Sequence, residues 1–315
     1  MKKTRKLQIG GKELKPKTSF QVSLNIARLP SRTSIEIPVF VSSGSTVKPV
    51  LLLLAGLHGD EINGIEIVRR LMAKGLNHPL KGTTICIPIL NVYGFISFSR
   101  EVTDGKDVNR SFPGSAKGSL ASRIAYHLRT EILPLVDCGI DFHTGGASRS
   151  NFPQIRYHFD DDRSKALANA FSAPFIVNSK PIPKSLRYLC NKMNIPMIVD
   201  EGGESLRHDE YAATVGVRGA RRVMKSLKMI RSHHRPKKVP TIIAKRSWIR
   251  AKNSGMFHPR INNGEEVTKG KVLGLITDPF ADFNAKVIAP YDGVVIGVNQ
   301  RPIINRGDPL VHLGY

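Results

Sequence analysis

The sequence predicts an α/β fold: a mixed, largely parallel sheet flanked by helices, followed by a smaller all-β domain at the C-terminus. Three observations predict it. Short continuous apolar runs, such as Leu51 to Leu54, are typical of strands that are buried on both faces. Segments with helical spacing, such as residues 62–71, alternate with these runs. Residues 241–315 instead carry short runs of period two between glycine turns, which indicate strands alone.

The elements of the main domain follow from these periodicities in chain order. Apolar and polar residues alternate over residues 19–50, which indicates strands. Buried runs predict further strands at residues 51–54, 83–90, 136–142, 175–177 and 197–199. Helical patterns lie at residues 62–71, 119–133, 185–192 and 208–228. Strands that alternate with helices in this way favour a largely parallel sheet.

The composition limits the class of protein. The chain has 315 residues with 41% hydrophobic content, which is enough for a large core. No apolar run is long enough to span a membrane, and the N-terminus lacks the apolar core of a signal peptide. We therefore expect a cytoplasmic protein without membrane contact, for which a homo-oligomer is compatible with the sequence. The three cysteines are widely spaced, so neither a disulfide framework nor a cysteine zinc site is indicated.

The positive charge is concentrated in two segments. Of the net charge of +23, most comes from residues 1–28 and 218–252, the second of which holds no acidic residue. We expect residues 1–18 to form a basic N-terminal tail, and the second segment to connect a catalytic domain over residues 19–232 to the β-rich domain. Both segments could contact a polyanion such as nucleic acid, or they could be solvated faces, since no RNA-binding motif accompanies them.

Four polar residues follow apolar strand runs. His58 and Glu61 come after the first buried run, His143 after residues 136–142, and Glu201 after residues 197–199. All four should lie at one edge of the sheet, beyond the carboxyl ends of its strands. Alone, each has an ordinary explanation, such as a solvated turn or a hydrogen-bonded core histidine. Together they predict a zinc site with two histidines and a glutamate as ligands, and Glu201 as a general base.

The loop at residues 99–114 carries Arg100, Asn109 and Arg110. A guanidinium group can bind a carboxylate with two hydrogen bonds, and an amide can add another. The loop therefore predicts a pocket for a substrate carboxylate beside the metal, with one arginine able to polarise a carbonyl. The alternative is an exposed loop with surface arginines.

Four motifs in this order resemble the succinylglutamate desuccinylase/aspartoacylase family, a branch of the zinc carboxypeptidase fold. The motifs are HGDE, DGKDVNRSFPG, DFHTG and DEGG. The resemblance implies one Zn²⁺ per chain, held by His58, Glu61 and His143, with Glu201 as the base. It also implies that Arg100 stabilises the oxyanion, while Asn109 and Arg110 hold the substrate carboxylate. Candidates for reading the acyl group follow the third ligand: Arg149, Arg156 and Tyr157.

The C-terminal domain resembles a second kind of module. Residues 262–278 and 286–298 are similar to the barrel-sandwich modules of lipoyl and biotinyl carriers. The hairpin tip at residues 278–284 has no lysine, so a carrier role is not expected. Family members that carry such a module can use it to wall off the substrate cleft.

These patterns favour a zinc-dependent hydrolase that cleaves an amide bond next to a free carboxylate. The substrate would be a small N-acyl amino acid or a peptide C-terminus, and the positive charge favours acidic ones. The sequence does not separate a deacylase from a metallocarboxypeptidase. The alternative is a non-catalytic nucleic-acid- or ribosome-binding protein on the same fold, which the basic segments suggest.

Overall fold

A computed structural model of the chain describes residues 8–28, 31–231 and 239–315. The first seven residues of the expected basic tail lie outside the described residues, as do residues 232–238 in the middle of the basic connecting segment. None of the described helices is long and apolar enough to cross a membrane.

The described residues form the following helices and strands. The α-helices are α1 (Ile62–Ala73), α2 (Val92–Ile96), α3 (Leu120–His127), α4 (Asp162–Phe171), α5 (Leu186–Lys192) and α6 (Glu210–Ser226). The strands up to the connecting segment are β1 (Gln8–Ile9), β2 (Lys12–Glu13), β3 (Ser19–Arg28), β4 (Ser34–Ser43), β5 (Val50–Ala55), β6 (Thr83–Ile87), β7 (Cys138–Gly145), β8 (Arg149–Tyr157), β9 (Phe175–Asn178) and β10 (Met197–Glu204). The strands after it are β11 (Thr241–Ile243), β12 (Arg246–Arg250), β13 (Gly255–Pro259), β14 (Glu266–Val267), β15 (Val272–Thr277), β16 (Asn284–Ile288), β17 (Gly293–Asn299), β18 (Ile303–Ile304) and β19 (Pro309–Gly314).

The main sheet is mixed, as expected, but it is not largely parallel. Its strand order is β12-β19-β17-β8-β10-β7-β5-β6-β4-β3, with β9, β11 and β14 paired off this path. The strands β10, β7, β5 and β6 pair in parallel at the centre. Most pairings outside this centre are antiparallel, because strands joined by short turns, such as β3 and β4, can only pair that way.

Strand β5 is buried on both faces, which confirms the prediction for the leucine run. All six of its residues are shielded from solvent. Leu52 and Leu54 belong to one apolar cluster with residues of α3 and α5, and Leu51 and Leu53 belong to another with residues of α1, α4 and α6. The central strands are therefore covered by helices on both sides, and their carboxyl ends are held rigidly.

The N-terminal region and one helix differ from the expectation. Strands β1 and β2 form a hairpin, and the buried residues Ile9 and Leu14 belong to a core cluster, so this part of the expected tail packs on the protein. The helix expected over residues 119–133 ends as an α-helix at His127 and continues as a π-helix over Leu128–Ile132. A 3-10 helix over Leu133–Leu135 follows, and it holds Pro134 in its first turn, where the missing backbone N–H costs no hydrogen bond.

The C-terminal strands extend the main sheet. Strand β17 pairs antiparallel with β8, and β11 pairs in parallel with β9. Four other strands form a separate sheet of order β16-β15-β13-β18. The two sheets enclose a core of their own, which includes Phe257, Leu273 and Val311. Strand β8, which the sequence analysis did not predict, thus links the helix-covered strands to the C-terminal ones.

Replacing Leu52 by alanine should destabilise the protein strongly. The side chain is completely buried, so its loss leaves a cavity, and we expect the free energy of unfolding to fall by about 2–5 kcal/mol. Urea denaturation followed by circular dichroism measures the change. Leu80, which is 58% exposed, provides the matched control, and Leu80→Ala should change stability by less than about 0.5 kcal/mol. Equal losses in both variants would contradict the doubly buried position of β5.

Candidate active site

The structure places the four residues that follow the strand runs at one edge of the central sheet. His58 lies in the turn between β5 and α1, and Glu61 is the N-cap residue of α1. His143 lies near the end of β7, and Glu201 lies opposite it on β10. All four line one cavity of about 530 Å³. Parallel pairing of the strands accounts for this meeting, since it brings their carboxyl ends to the same edge.

Three of these side chains form a compact buried group. His58 Nδ1 lies 2.7 Å from Glu61 Oε1, and His143 Nδ1 lies 2.8 Å from Glu61 Oε2. One ligand atom from each residue falls within 4.8 Å of the others. The backbone N–H of Thr144 also donates to Glu61 Oε2 at 3.1 Å. Glu61 is therefore shared between the two rings, and its orientation is set from both sides.

Two aspartates hold the outer nitrogens of the imidazole rings. His58 Nε2 lies 3.3 Å from Asp107 Oδ1, and His143 Nε2 lies 2.8 Å from Asp141 Oδ2. A neutral imidazole that donates from Nε2 keeps a lone pair on Nδ1, so in this tautomer both lone pairs would point toward the Glu61 carboxylate. Acceptors that converge in this way in a buried site require a cation among them, which is either a metal ion or the protons of the rings. The three side chains therefore fit a metal ion.

The charges of the site shift its pKa values. Burial alone would lower the pKa of His143, but the charges of Asp141 and Glu61 outweigh it and raise that pKa well above the ordinary value. His58 behaves in the same way: Glu61 and Asp107 overcome the effect of burial, and its pKa is raised. Burial would raise the pKa of Glu61, but the two histidines hold it well below the usual range. The carboxylate is thus kept ionised in a site closed to solvent.

Sequence reasoning missed both aspartates, although each leaves a signal. Asp141 stands two residues before His143 on β7, and alternate residues of a strand share a face. Asp107 lies in the loop motif, where its carboxylate also accepts from the N–H of Asn109 at 2.6 Å.

Arg100 reaches the metal-ligand group from the loop. Its Nη1 lies 3.1 Å from Glu61 Oε1, and its Nε and Nη2 both donate to Asp107 Oδ2, at 3.2 and 3.0 Å. Asp107 therefore holds both Arg100 and His58. This arrangement places a guanidinium group at the edge of the candidate metal site, where it could meet a developing negative charge.

Asn109 and Arg110 also line the cavity, but part of their hydrogen bonding serves the fold. The Asn109 side-chain oxygen accepts from the N–H of Leu186 at 2.9 Å, which ties the loop to the start of α5. Arg110 Nη1 donates to the backbone oxygen of Asn109 at 2.7 Å. Within residues 8–28, 31–231 and 239–315, no hydrogen bond uses the amide N–H₂ of Asn109 or the remaining N–H groups of Arg110.

Two side chains of β8 donate hydrogen bonds to the Glu201 carboxylate. Arg156 Nη1 donates to Glu201 Oε1 at 2.8 Å, and Asn151 Nδ2 donates to Glu201 Oε2 at 2.8 Å. Of the three candidates that follow His143 in the sequence, Arg149 and Arg156 line the cavity. Tyr157 does not, because it is buried in the apolar core between β8 and the helices.

The C-terminal strands supply one wall of the cavity. Arg246 and Trp248 of β12 and His312 of β19 line it. The Trp248 and His312 rings are stacked with centroids 4.4 Å apart, and the Arg149 guanidinium lies 5.7 Å from the Trp248 ring centroid. The sequence left open whether this part of the chain reaches the site. Contacts between residues so far apart in sequence exist only once the sheet has formed.

Comparisons with known proteins show which family the chain resembles. Residues 47–227 match the model of the succinylglutamate desuccinylase/aspartoacylase catalytic domain. N-alpha-acetyl-L-2,4-diaminobutyric acid deacetylase of Halomonas elongata is 25% identical over 277 residues, which cover 83% of this chain and 81% of the relative.

Solved structures show the same fold. A succinylglutamate desuccinylase/aspartoacylase from Rhodobacter sphaeroides is 26% identical, with 95% of each chain covered and a TM-score of 0.81. The product-bound ectoine utilization protein EutE (DoeB) from Ruegeria pomeroyi shares 23% identity over 94% of each chain, with a TM-score of 0.84. On the match over more than half of its length, the chain belongs to the succinylglutamate desuccinylase/aspartoacylase family.

Proposed function

We propose that this protein is a zinc-dependent hydrolase that cleaves the amide bond of an N-acylated amino acid. One observation carries the proposal: two imidazole nitrogens and a carboxylate converge in a buried site, with Glu201 in the same cavity. Membership of a family of deacylases supports the same reaction class. A non-catalytic nucleic-acid-binding protein would have no use for this buried set of charged side chains, each of which costs free energy to bury.

His58, Glu61 and His143 would hold the zinc ion. This donor set, with one position left for water or substrate, is typical of catalytic zinc sites. When bound, zinc supplies Lewis-acid polarisation of the amide carbonyl and makes water more acidic. Asp107 and Asp141 would keep both imidazoles in the tautomer that leaves Nδ1 free to bind metal.

Glu201 would act as the general base. Its carboxylate would accept a proton from the attacking water and pass it to the leaving amine. Arg156 and Asn151 each donate to one of its oxygens, so they would fix the orientation of the carboxylate. Arg100, held by Asp107, would donate to the oxyanion of the tetrahedral intermediate.

Asn109 and Arg110 would bind the carboxylate of the substrate. An N-acyl amino acid and a peptide C-terminus both present an amide next to a carboxylate, so this pair of residues does not distinguish them. The family match and the deacetylase from Halomonas favour the N-acyl amino acid.

Replacing His143 by alanine should remove the metal. We expect the purified protein to contain about one zinc per chain, and His143→Ala to contain much less, because one of three ligands is lost. Elemental analysis by mass spectrometry measures the content. His208, an exposed histidine outside the cavity, gives the control His208→Ala, which should retain its zinc. A zinc-free wild type that zinc does not stabilise against heat would refute the proposed site.

Glu201→Gln should abolish most of the activity while the zinc content stays the same. The amide cannot accept a proton, and loss of a general base typically lowers kcat by about 10²–10⁴. Hydrolysis of N-acetyl amino acids, followed by detection of the free amine, gives kcat. The control is Glu266→Gln, at an exposed glutamate of β14, and should match the wild type. Unchanged kcat in Glu201→Gln would show that another group is the base.

A further inference from the structure

A row of basic side chains lies along α6 and the turn after it. The row, which we call the basic ridge, consists of Arg218, Arg221, Lys225, Lys228 and Arg231. The three members within α6 recur after three and four residues, so they share one face of the helix. All members except the partly buried Arg221 are exposed to solvent.

The ridge has no acidic partner. Residues 211–264 hold no acidic residue, and within the part of the chain that the structure describes no ridge member forms an ion pair. The nearby acids are already used: Glu66 of the adjacent α1 pairs with Arg70 at 2.6 Å, and Glu210 pairs with the same arginine at 2.6 Å. The described residues therefore leave the positive charge of the ridge without a counter-charge.

Helix α6 carries the ridge away from the cavity. A side chain at Gly202 would meet Ala212 at 2.9 Å, and a side chain at Gly216 would lie 3.1 Å from Asp200. Successive turns of α6 thus lie beside earlier residues of β10. The helix therefore runs back along this strand, away from the edge of the sheet where Glu201 lies.

The ridge ends at the opposite edge of the sheet. The N–H groups of Leu80 and Lys81, shortly before β6, donate to the backbone oxygen of Met229 at 2.8 and 3.2 Å. Strand β6 is parallel to β5, so its start lies at the edge opposite the candidate metal ligands. No ridge member lines the cavity. Binding at the ridge and hydrolysis in the cavity can therefore be changed separately.

A row of cations without counter-charges is complementary to a polymer of phosphates. Arg218 and Lys225 are separated by about 10 Å along the axis of α6. One strand of a double helix carries a phosphate about every 3.4 Å, so the ridge can meet several phosphates at once. Guanidinium groups suit this partner, because their N–H groups form two parallel hydrogen bonds with a phosphate.

This surface lacks the features that other polyanions need. Residues 212–231 hold no aromatic residue on which the bases of a single strand could stack. None of the exposed large hydrophobic residues falls in this range, so an anionic membrane finds no apolar anchor. Recognition of double-stranded RNA spans about 16 base pairs, which is far longer than the ridge. The other face of α6 is buried, which keeps the helix from entering a groove and reading bases.

We propose that the basic ridge binds the phosphate backbone of double-stranded DNA without reading its sequence. This binding is additional to the proposed hydrolysis and does not depend on it. The cavity opens at the opposite edge of the sheet, so it stays accessible to small molecules while the ridge is in contact with DNA.

The salt dependence of DNA binding tests the ridge. Fluorescence anisotropy of a short labelled duplex gives the affinity of the full chain at several salt concentrations. The triple variant Arg218→Gln/Lys225→Gln/Arg231→Gln removes three exposed cations. We expect it to bind at least about tenfold more weakly at low salt. The slope of log K against log salt should become shallower by about 2–3, since each lost phosphate contact removes about 0.9.

A matched variant controls for net charge. Arg260→Gln/Lys286→Gln/Arg306→Gln removes the same three charges from exposed residues of the C-terminal domain. Its affinity should stay within about threefold of the wild type, because salt screens charges that lie away from the contact. Arg218→Lys/Arg231→Lys keeps the charge of the ridge and should keep the salt slope. All three variants should melt and hydrolyse N-acetyl amino acids like the wild type, because the changed residues are exposed and lie outside the cavity.

Equal losses of affinity in the two triple variants would overturn the proposal, because net charge alone would then explain the binding. So would tighter binding of single-stranded RNA, double-stranded RNA or phosphatidylserine vesicles than of the DNA duplex. A wild type that does not bind the duplex at low salt would refute the proposal as well. None of these results bears on the proposed hydrolysis, which the zinc content and the Glu201 variant test on their own.

Discussion

The site depends on one shared carboxylate. Glu61 lies between the inner nitrogens of His58 and His143, at 2.7 and 2.8 Å, in a position closed to solvent. A buried charge of this kind is tolerated only when its partners are held in place. The fully buried β5 and its parallel neighbour β7 hold these partners in place. Asp107 and Asp141 fix the two imidazole rings through hydrogen bonds to their outer nitrogens.

The sequence analysis correctly predicted the central strands and the clustering of the motif residues, because short stretches of sequence specify both. Apolar runs located the central strands, and four short motifs located the residues that the structure brings together. It did not predict the strand whose side chains face the cavity, because polar residues interrupt the pattern of that strand. Strand β8 carries Arg149, Asn151 and Arg156 toward the cavity, so it lacks the apolar alternation of an ordinary strand. Arg187 and Arg246 lie on different elements, and only the assembled sheet brings both to Ser179.

The uneven charge of the chain now has a partly different explanation. Six arginines line the cavity, among them Arg246 from the basic segment at residues 218–252. Arg222 of the same segment donates to the backbone oxygen of Phe171, so its side chain is used within the fold. Part of the charge that suggested a polyanion-binding surface is therefore directed inward. Contact with a polyanion through the remaining basic residues stays a prediction.

The pairing of β17 with β8 joins parts of the chain that the sequence suggested were separate. Asn151, which donates to the Glu201 carboxylate, lies opposite Gly297 in this pairing, and a Cβ at Gly297 would come within 2.7 Å of the Asn151 side-chain oxygen. Removing residues 239–315 would leave residues 149–151 without the neighbouring strand on this side. The strand that orients the Glu201 carboxylate through Asn151 therefore depends on the C-terminal strands for one of its two neighbours at this point.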